Sequence, residues 1–532
     1  MLQKGCYIVQ KDTAMIKLLY TSDVHGHALP VLYGTNEHSD SGLATYATVV
    51  NKIRKNNEHV IVMDNGDLIQ GTPLMTHYVK EHADKENPMI GIMNRIGIEA
   101  SVIGNHEFNF GKKILNDAIN QSDFPWLSAN TLDENSAEPY YGPPYIIKTL
   151  DNGIKIAIAG VTTHYIPNWE SPEHIQGIQF ADALATLQKW VNHIHDTEQP
   201  DVLVASYHGG FERDIETGEE TEPLTGENQG YAICEQIEGI DVLLTGHQHR
   251  VLTGTINGVL VIQPGNNGKL YGEIDIIMEQ SERGWQVVNK QASVNTLEGI
   301  KADSEILNCM EDLEASTQQW LDSPIGNIDG DMTISDPLAA RVQKHPFIEF
   351  IQKVQMDASG TDISVAPLLN NKSKGFGPVV TMRDIVSNYM YPNTLVVLEL
   401  TGKDIIDALE KSAEYFVIKD GNIAVNPAYI APKPQHYNYD MWEGIEYTIN
   451  VQKPFGSRIE NVTYHDKPLD KHEKYHVVLN NYRANGGGNY DMFKGKPVIR
   501  EIQKDAVELI RSYFEKHKTV PASVTNNFVV KA

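Results

Sequence analysis

The sequence predicts a two-domain α/β chain, and three observations predict it. Its 532 residues exceed what one ordinary core organises and favour two or three domains. The first half alternates β-rich apolar runs with helix-period segments, the pattern of a layered α/β domain. After it comes a solitary charged amphipathic stretch, "SEILNCMEDLEASTQQWLDS", beyond which strands and helices resume.

Taken in order, strands are expected at "IKLLYTSD", "HVIVMDNGD", "EASVIGN", "GIKIAIAGVTT", "DVLVASYHG", "IDVLLTGH" and "GVLVIQPG". Helical periodicity lies between several of them, as in "GLATYATVVNKIRK" and "FADALATLQKWVNHIHD". From about residue 270 two strands follow each other, "YGEIDIIME" and "GWQVVNKQASVN", and close the sheets. These limits give a first domain over 15–300, a linker helix over 301–324 and a second α/β domain over 325–532. In the second, "TDISVAP", "NTLVVLELTG" and "EKYHVVLNNY" are strands, with helices at "TMRDIVSNYM" and "KDIIDALEKSAEYF". The Pro- and Tyr-rich "NPAYIAPKPQHYNYDMW" reads either as a rigid surface loop or as a substrate-facing one. There is no internal repeat and no low-complexity tract.

Charge and cysteine content narrow the partners. With 70 acidic against 44 basic residues the formal charge is −26, which repels a phosphate backbone and argues against polymeric nucleic acid. A small anion is not excluded, because a bound divalent cation can dominate its own site. Cys6, Cys234 and Cys309 are scattered and odd in number, so no disulfide framework is expected. No apolar stretch of signal-peptide length precedes the first strand, and nothing approaches the roughly 20 apolar residues of a membrane helix. The expectation is a soluble, cytoplasmic monomer or weak oligomer with no membrane partner.

Five stretches share one feature, ligand-type side chains directly after an apolar strand: "TSDVHGH" (Asp23, His25), "DNGDLIQGTP" (Asp67), "GNHE" (Asn105, His106), "SYHGG" (His208) and "TGHQH" (His247, His249). In layered α/β folds the carboxyl ends of neighbouring strands converge on one crevice, so these groups meet in space though dispersed in sequence. Singly each is a common surface or core pattern; their joint occurrence is what carries weight. Imidazoles, carboxylates and an amide oxygen without a competing cysteine suit two divalent ions such as Mn, Zn, Fe or Co, whose identity the donors leave open. Asp23, His25 and His249 could hold one ion and Asn105, His208 and His247 the other, with Asp67 bridging. The glycines at 66, 104, 209 and 246 fit strand-end turns that bring backbone close to the site.

Read together, "SDVHG", "NGDLIQGTP", "GNHEFNFG", "YHGG" and "GHQH" resemble, in order, the signature blocks of calcineurin-like metallophosphoesterases, and the second half resembles the C-terminal domain of the 5′-nucleotidase family. The resemblance covers nearly the whole chain from about residue 15. It implies a four-layer α/β/β/α catalytic domain with two metals and a second, substrate-binding domain. It assigns Asp23, His25, Asp67, Asn105, His208, His247 and His249 as metal ligands and His106 as the catalytic histidine; for Glu107 the expectation is a structural hydrogen-bonding role.

Finer features point to one branch. In 5′-nucleotidases two aromatic rings sandwich the base and an acid binds the ribose hydroxyls; here "SNYMYPNTL" and "NNYRANGGGNY" offer Tyr391 and Tyr482 as the rings, and Gly488 stands at the acid's place. An acid would repel a phosphate on those hydroxyls, so glycine favours a ribose phosphorylated at its 2′,3′ edge. Asn109 occupies a position that resembles an Asp partner of the catalytic histidine, and an amide there deprives His106 of that charge partner unless another carboxylate supplies it. These features resemble the 2′,3′-cyclic-nucleotide 2′-phosphodiesterase/3′-nucleotidase branch, whose catalytic block also reads NHEFN. A 5′-nucleotidase or a nucleotide-sugar or dinucleotide pyrophosphatase on the same scaffold is the alternative, with a catalytically silent nucleotide-binding protein behind it. The phosphate- and base-binding arginines of many 5′-nucleotidases have no match in "SVAPLLNNKSKGFG", where Lys372 and Lys374 read as exposed charge.

Overall fold

The computed structural model describes residues 12–168, 170–222, 224–282, 284–389, 393–430, 434–502 and 504–532. It divides into two compact units: one runs to Leu32 and over Glu37–Thr317, the other comprises Tyr33–Asn36 and Gln318–Ala532.

The first unit is built on two six-stranded sheets. In spatial order one contains Gly284–Thr296, Leu270–Ser281, Thr13–Thr21, His59–Asp64, Ala100–Val102 and Trp126–Leu127. The other contains Val251–Ile256, Val259–Pro264, Val242–Thr245, Val202–His208, Lys155–Thr162 and Tyr145–Thr149. The strands that carry ligand-type residues are parallel within each sheet. Their carboxyl ends therefore lie along one edge.

Strands buried on both faces read as continuous apolar runs rather than alternating ones. "VLVASYH" is buried at every position. One of its faces joins Ile16, Leu18, Ile61, Met63, Val102, Ile156, Ile158, Val242, Leu244 and Ile262 in a core made by both sheets. Its other face packs Leu203, Ala205 and Tyr207 with Leu187, Val191 and Ile194 of the helix Ala183–Thr197 and with Ile233 and Cys234. Helices outside, two sheets inside: the architecture is the four-layer α/β/β/α arrangement expected.

In the second unit a five-stranded sheet runs Asp440–Glu443, Ile363–Pro367, Lys474–Asn480, Leu395–Thr401 and Val498–Ile502. Helix Pro346–Ser359 buries Phe347, Phe350 and Ile351 against this unit's core. The helix Gly402–Ala413 opens with a capping box in which Thr401 and Asp404 satisfy each other's backbone N–H groups. The Pro- and Tyr-rich segment is a core element as much as a surface one: Tyr429, Tyr439 and Trp442 are buried. Between the two halves of the sequence lies a helix at Ser304–Leu321, whose Ser316 meets His77 Nε2 at 2.8 Å within the first unit. Cys234 is buried and Cys309 exposed, both free, while Cys6 lies outside the described residues. No helix among the described residues is long and apolar enough to cross a membrane.

Candidate functional site

Each ligand-type residue stands at or just beyond a strand's carboxyl end, and the backbone there is unusual. Asp23, His25, Asp67, His247 and His249 all have positive φ, between 49° and 66°. Non-glycine residues seldom adopt this left-handed region, and each costs on the order of 1–3 kcal/mol that the surrounding fold must offset. Such turns aim consecutive side chains into one place. Gly104 shows how tight that place is: a Cβ on it would sit 2.3 Å from Asp67 Oδ1. Gly246 is equally confined, with Ser22 Oγ 2.1 Å and Asp23 Oδ2 2.6 Å from a would-be Cβ.

The side chains gather into two groups. Asp23, His25 and His249 form one, Asp67, His208 and His247 the other, with ligating atoms in each within 4.8 Å of one another. Asp67 Oδ2 is 3.3 Å from His208 Nε2 and 4.0 Å from His25 Nε2, so one carboxylate reaches both groups. Asn105 Oδ1 faces His208 Nε2 at 3.2 Å and His247 Nδ1 at 2.9 Å. The structure thus brings together all seven residues named as ligands from the sequence.

Their remaining ring nitrogens decide whether the set suits cations. His208 Nδ1 donates to the carbonyl of Asn65 at 2.6 Å, which turns Nε2 towards Asp67 and Asn105. His25 Nδ1 lies 3.3 Å from Gln70 O, His249 Nδ1 3.1 Å from the Asn266 amide, and His247 Nε2 3.0 Å from Glu227 Oε1. The acceptors facing His25, His208 and His247 form the outer-shell pattern that fixes the tautomer of metal-binding histidines, whereas the Asn266 Nδ2 amide donates to His249 Nδ1 and leaves that ring outside the pattern. Meanwhile His25 Nε2 and His249 Nε2 point at each other across 3.0 Å. Imidazole nitrogens and carboxylate oxygens converging in one place fit divalent cations. Burial, reinforced by His249, pushes His25 down to about 3 and keeps it neutral; burial opposes charge on His208 too, yet Asp67 raises it to about 10.

His106 stands beside the groups, its ring centroid 5.2 Å from that of His25. Its backbone N–H donates to Asp67 Oδ1 at 2.8 Å and its Nδ1 meets Asn109 Oδ1 at 2.6 Å. Asn109 Nδ2 in turn donates to Glu170 Oε2 at 2.7 Å. Glu107 turns away from the cluster and accepts the backbone N–H groups of Asp67, Leu68, Ile69 and Gly104 at 2.6–3.2 Å. It ties the second and third ligand loops together, the structural role expected of it.

In the second unit Tyr391 lies outside the described residues. Tyr482 presents a ring with 44% of the residue exposed, on the short helix Asn481–Ala484. Behind it, buried Arg483 pairs with Asp440 through Nε–Oδ2 at 2.6 Å and Nη2–Oδ1 at 3.2 Å, and its guanidinium lies 5.5 Å from the Tyr482 ring centroid. Gly488 has φ 73°, and a Cβ there would come 2.1 Å from Asn438 Oδ1 and 2.5 Å from Arg483 Nη1. Lys372 and Lys374 are exposed. Sequence reasoning missed Asn65, Glu170, Glu227 and Arg483. Of these only Arg483, adjacent to Tyr482 in "NNYRA", had a local signal.

With the geometry in hand, the kinship is direct. The calcineurin-like phosphoesterase family matches residues 16–251 and the 5′-nucleotidase C-terminal domain family residues 324–495. A Staphylococcus aureus protein assigned as a 5′-nucleotidase, crystallised in complex with alpha-ketoglutarate, is 33% identical and superposes with a TM-score of 0.73 over 98% of this chain and 100% of its own. The chain belongs to the 5′-nucleotidase family of calcineurin-like phosphoesterases. It is a hydrolase of that family, whose phosphoesterase members use divalent metals. The trifunctional nucleotide phosphoesterase protein YfkN of Bacillus subtilis is 27% identical over 97% of this chain, which spans only 39% of that protein's length. The 2′,3′-cyclic-nucleotide 2′-phosphodiesterase/3′-nucleotidase of Salmonella typhimurium is 26% identical over 90% of this chain and 82% of its own.

Proposed function

We propose that this nucleotidase-family hydrolase opens 2′,3′-cyclic nucleotides to 3′-nucleotides and then removes the 3′-phosphate to release nucleosides. The observation that carries the choice of ester is Gly488. Its left-handed turn, at φ 73°, packs against the Asn438 and Arg483 side chains and puts no carboxylate at this position beside Tyr482. Without an acid to bind free 2′ and 3′ hydroxyls, that edge of the ribose tolerates negative charge. Relatives that bear this activity in their names point the same way.

In this reading Asp23, His25 and His249 would hold one cation and Asn105, His208 and His247 the other, with the Asp67 carboxylate within reach of both groups. Two such cations supply Lewis-acid stabilisation of phosphoryl charge and activation of water. The chain's own residues do the rest. His106, protonated on both ring nitrogens, gives its Nε2 proton to the leaving ribose oxygen and is left neutral with its Nδ1–H still donated to Asn109. Tyr482 offers a stacking face, and base–aromatic stacking of about 1–3 kcal/mol per base is tolerant of base identity.

Phosphate release from 2′,3′-cAMP, 3′-AMP and 5′-AMP, each with Mn²⁺, Zn²⁺, Fe²⁺ or Co²⁺, tests the proposal. The first two substrates should turn over at least about tenfold faster than the third, one factor of ten being 1.36 kcal/mol of barrier. Faster release from 5′-AMP overturns the assignment in favour of a 5′-nucleotidase.

A further inference from the structure

Asn109 stands where an acid would pair with His106, yet a carboxylate is present one residue further out. Glu170 is buried, and both of its oxygens are engaged. Oε1 accepts the Ser171 backbone N–H at 2.7 Å and faces His174 Nδ1 at 2.8 Å, and Oε2 accepts from Asn109 Nδ2 at 2.7 Å. Nothing in the local sequence marks Glu170, which is 61 positions from its amide partner.

The direction of this chain of hydrogen bonds follows from chemistry alone. A carboxylate only accepts, so Asn109 must turn its NH₂ towards Glu170 and its carbonyl oxygen towards His106. That oxygen only accepts as well. His106 is therefore obliged to carry a proton on Nδ1, and Nε2 is left as the atom that works on the substrate. We propose that Glu170 is a positioning residue that acts through Asn109 to hold His106 in this one tautomer and orientation. The role deepens the proposed hydrolysis and rests on His106 exchanging a proton with the leaving oxygen. An aspartate in place of Asn109 would orient the ring and also offset its charge; the amide backed by Glu170 orients without placing an anion in contact with it.

The relay makes an isosteric substitution harmful. In Glu170→Gln the Ser171 N–H still requires an acceptor, so the new amide's oxygen takes that place and its NH₂ faces Asn109. Asn109 must then rotate, present its own NH₂ to His106 and force the proton to Nε2. Asn109→Asp alone sets two carboxylates against each other across the present 2.7 Å contact. Combined, the two changes are compatible. The amide introduced by Glu170→Gln donates to the carboxylate introduced by Asn109→Asp, that carboxylate also accepts from His106 Nδ1, and the chain is consistent again.

The test is a mutant cycle in the full-length, metal-supplemented protein on whichever of 2′,3′-cAMP, 3′-AMP or 5′-AMP wild type turns over fastest. Loss of an orienting partner outside the direct contacts is expected to cost about 10–100-fold. Each single variant should lose that much in kcat with KM within threefold, and the double variant should return to within fivefold of wild type. Selective ¹⁵N-histidine spectra of the Zn²⁺-loaded protein should show the His106 proton on Nδ1 in wild type and in the double variant, and on Nε2 in Glu170→Gln. A Glu170→Gln enzyme that keeps wild-type kcat, or a double variant whose losses multiply, overturns the relay. Should 5′-AMP prove the faster substrate, the ester assignment fails and the relay is still read from the same cycle.

Discussion

Two kinds of residue make the ligand cluster, those that reach into it and those that leave room for it. The first kind was legible in the sequence, because Asp, His and Asn directly after apolar strands announce themselves by type and position. The second is visible only in three dimensions. Gly104 has no Cβ because Asp67 Oδ1 and Asp67 N occupy that space at 2.3 Å and 2.5 Å. Gly104→Ala must therefore displace Asp67, the carboxylate that reaches both groups. A displacement of an ångström in a carboxylate shared by the two groups is expected to cost about 100-fold in turnover. Metal content measured after dialysis should fall together with activity, whereas a protein that retains two equivalents of metal would show that Asp67 had not moved. Glu170 and Glu227 belong to neither kind. They touch a site residue from 61 and 20 positions away, and a lone glutamate in a loop carries no pattern.

At the scale of single elements, strands were the easiest to foresee, since those buried on both faces read as unbroken apolar runs. Short edge strands such as Val251–Ile256 alternate between exposed and part-buried positions up to a buried Ile256 and give no such run. The strand His59–Asp64 contains one charge that breaks its own pattern. Asp64 is fully buried at the strand's end and accepts from Gly66 N, Thr21 Oγ1 and Ser101 Oγ at 2.9–3.0 Å. Burial outweighs these donors and pushes its carboxyl up to about 7 from 3.8. In the folded state it thus holds its proton to higher pH than in the unfolded state, and its contribution to stability is full below about 4 and lost as pH rises through about 7. At 1.36 kcal/mol per pKa unit the loss is at most about 4 kcal/mol. Asp64→Asn, which retains an acceptor and cannot ionise, should remove it. Urea unfolding of the metal-free proteins should show the variant gaining on wild type between pH 4 and 7 and holding a constant lead above. A difference independent of pH would mean that Asp64 is ionised in the fold throughout.

For the molecule as a whole, the two-unit division follows from where strands and helices recur in the sequence, and the distribution of chemistry follows the division. Every residue of the two ligand groups, with Asn105, His106, Asn109 and Glu170, belongs to the first unit; Tyr482, Arg483 and Gly488 belong to the second. Under the proposed function, ester chemistry and base recognition should then respond to different ligands. Mn²⁺ alone should slow hydrogen exchange at the strand ends 22–27, 65–71, 104–109, 206–210 and 245–250, because cations there would tie the facing donor groups and strained left-handed turns into one cluster. Adenosine, which carries a base and ribose but no phosphate, should leave those segments unchanged and protect 436–438 and 481–488, where Tyr437 and Tyr482 meet with ring centroids 6.2 Å apart. Protection of the strand ends by adenosine without metal would mean that the ribose is read by the first unit, and the role proposed for the Gly488 turn would fall with it.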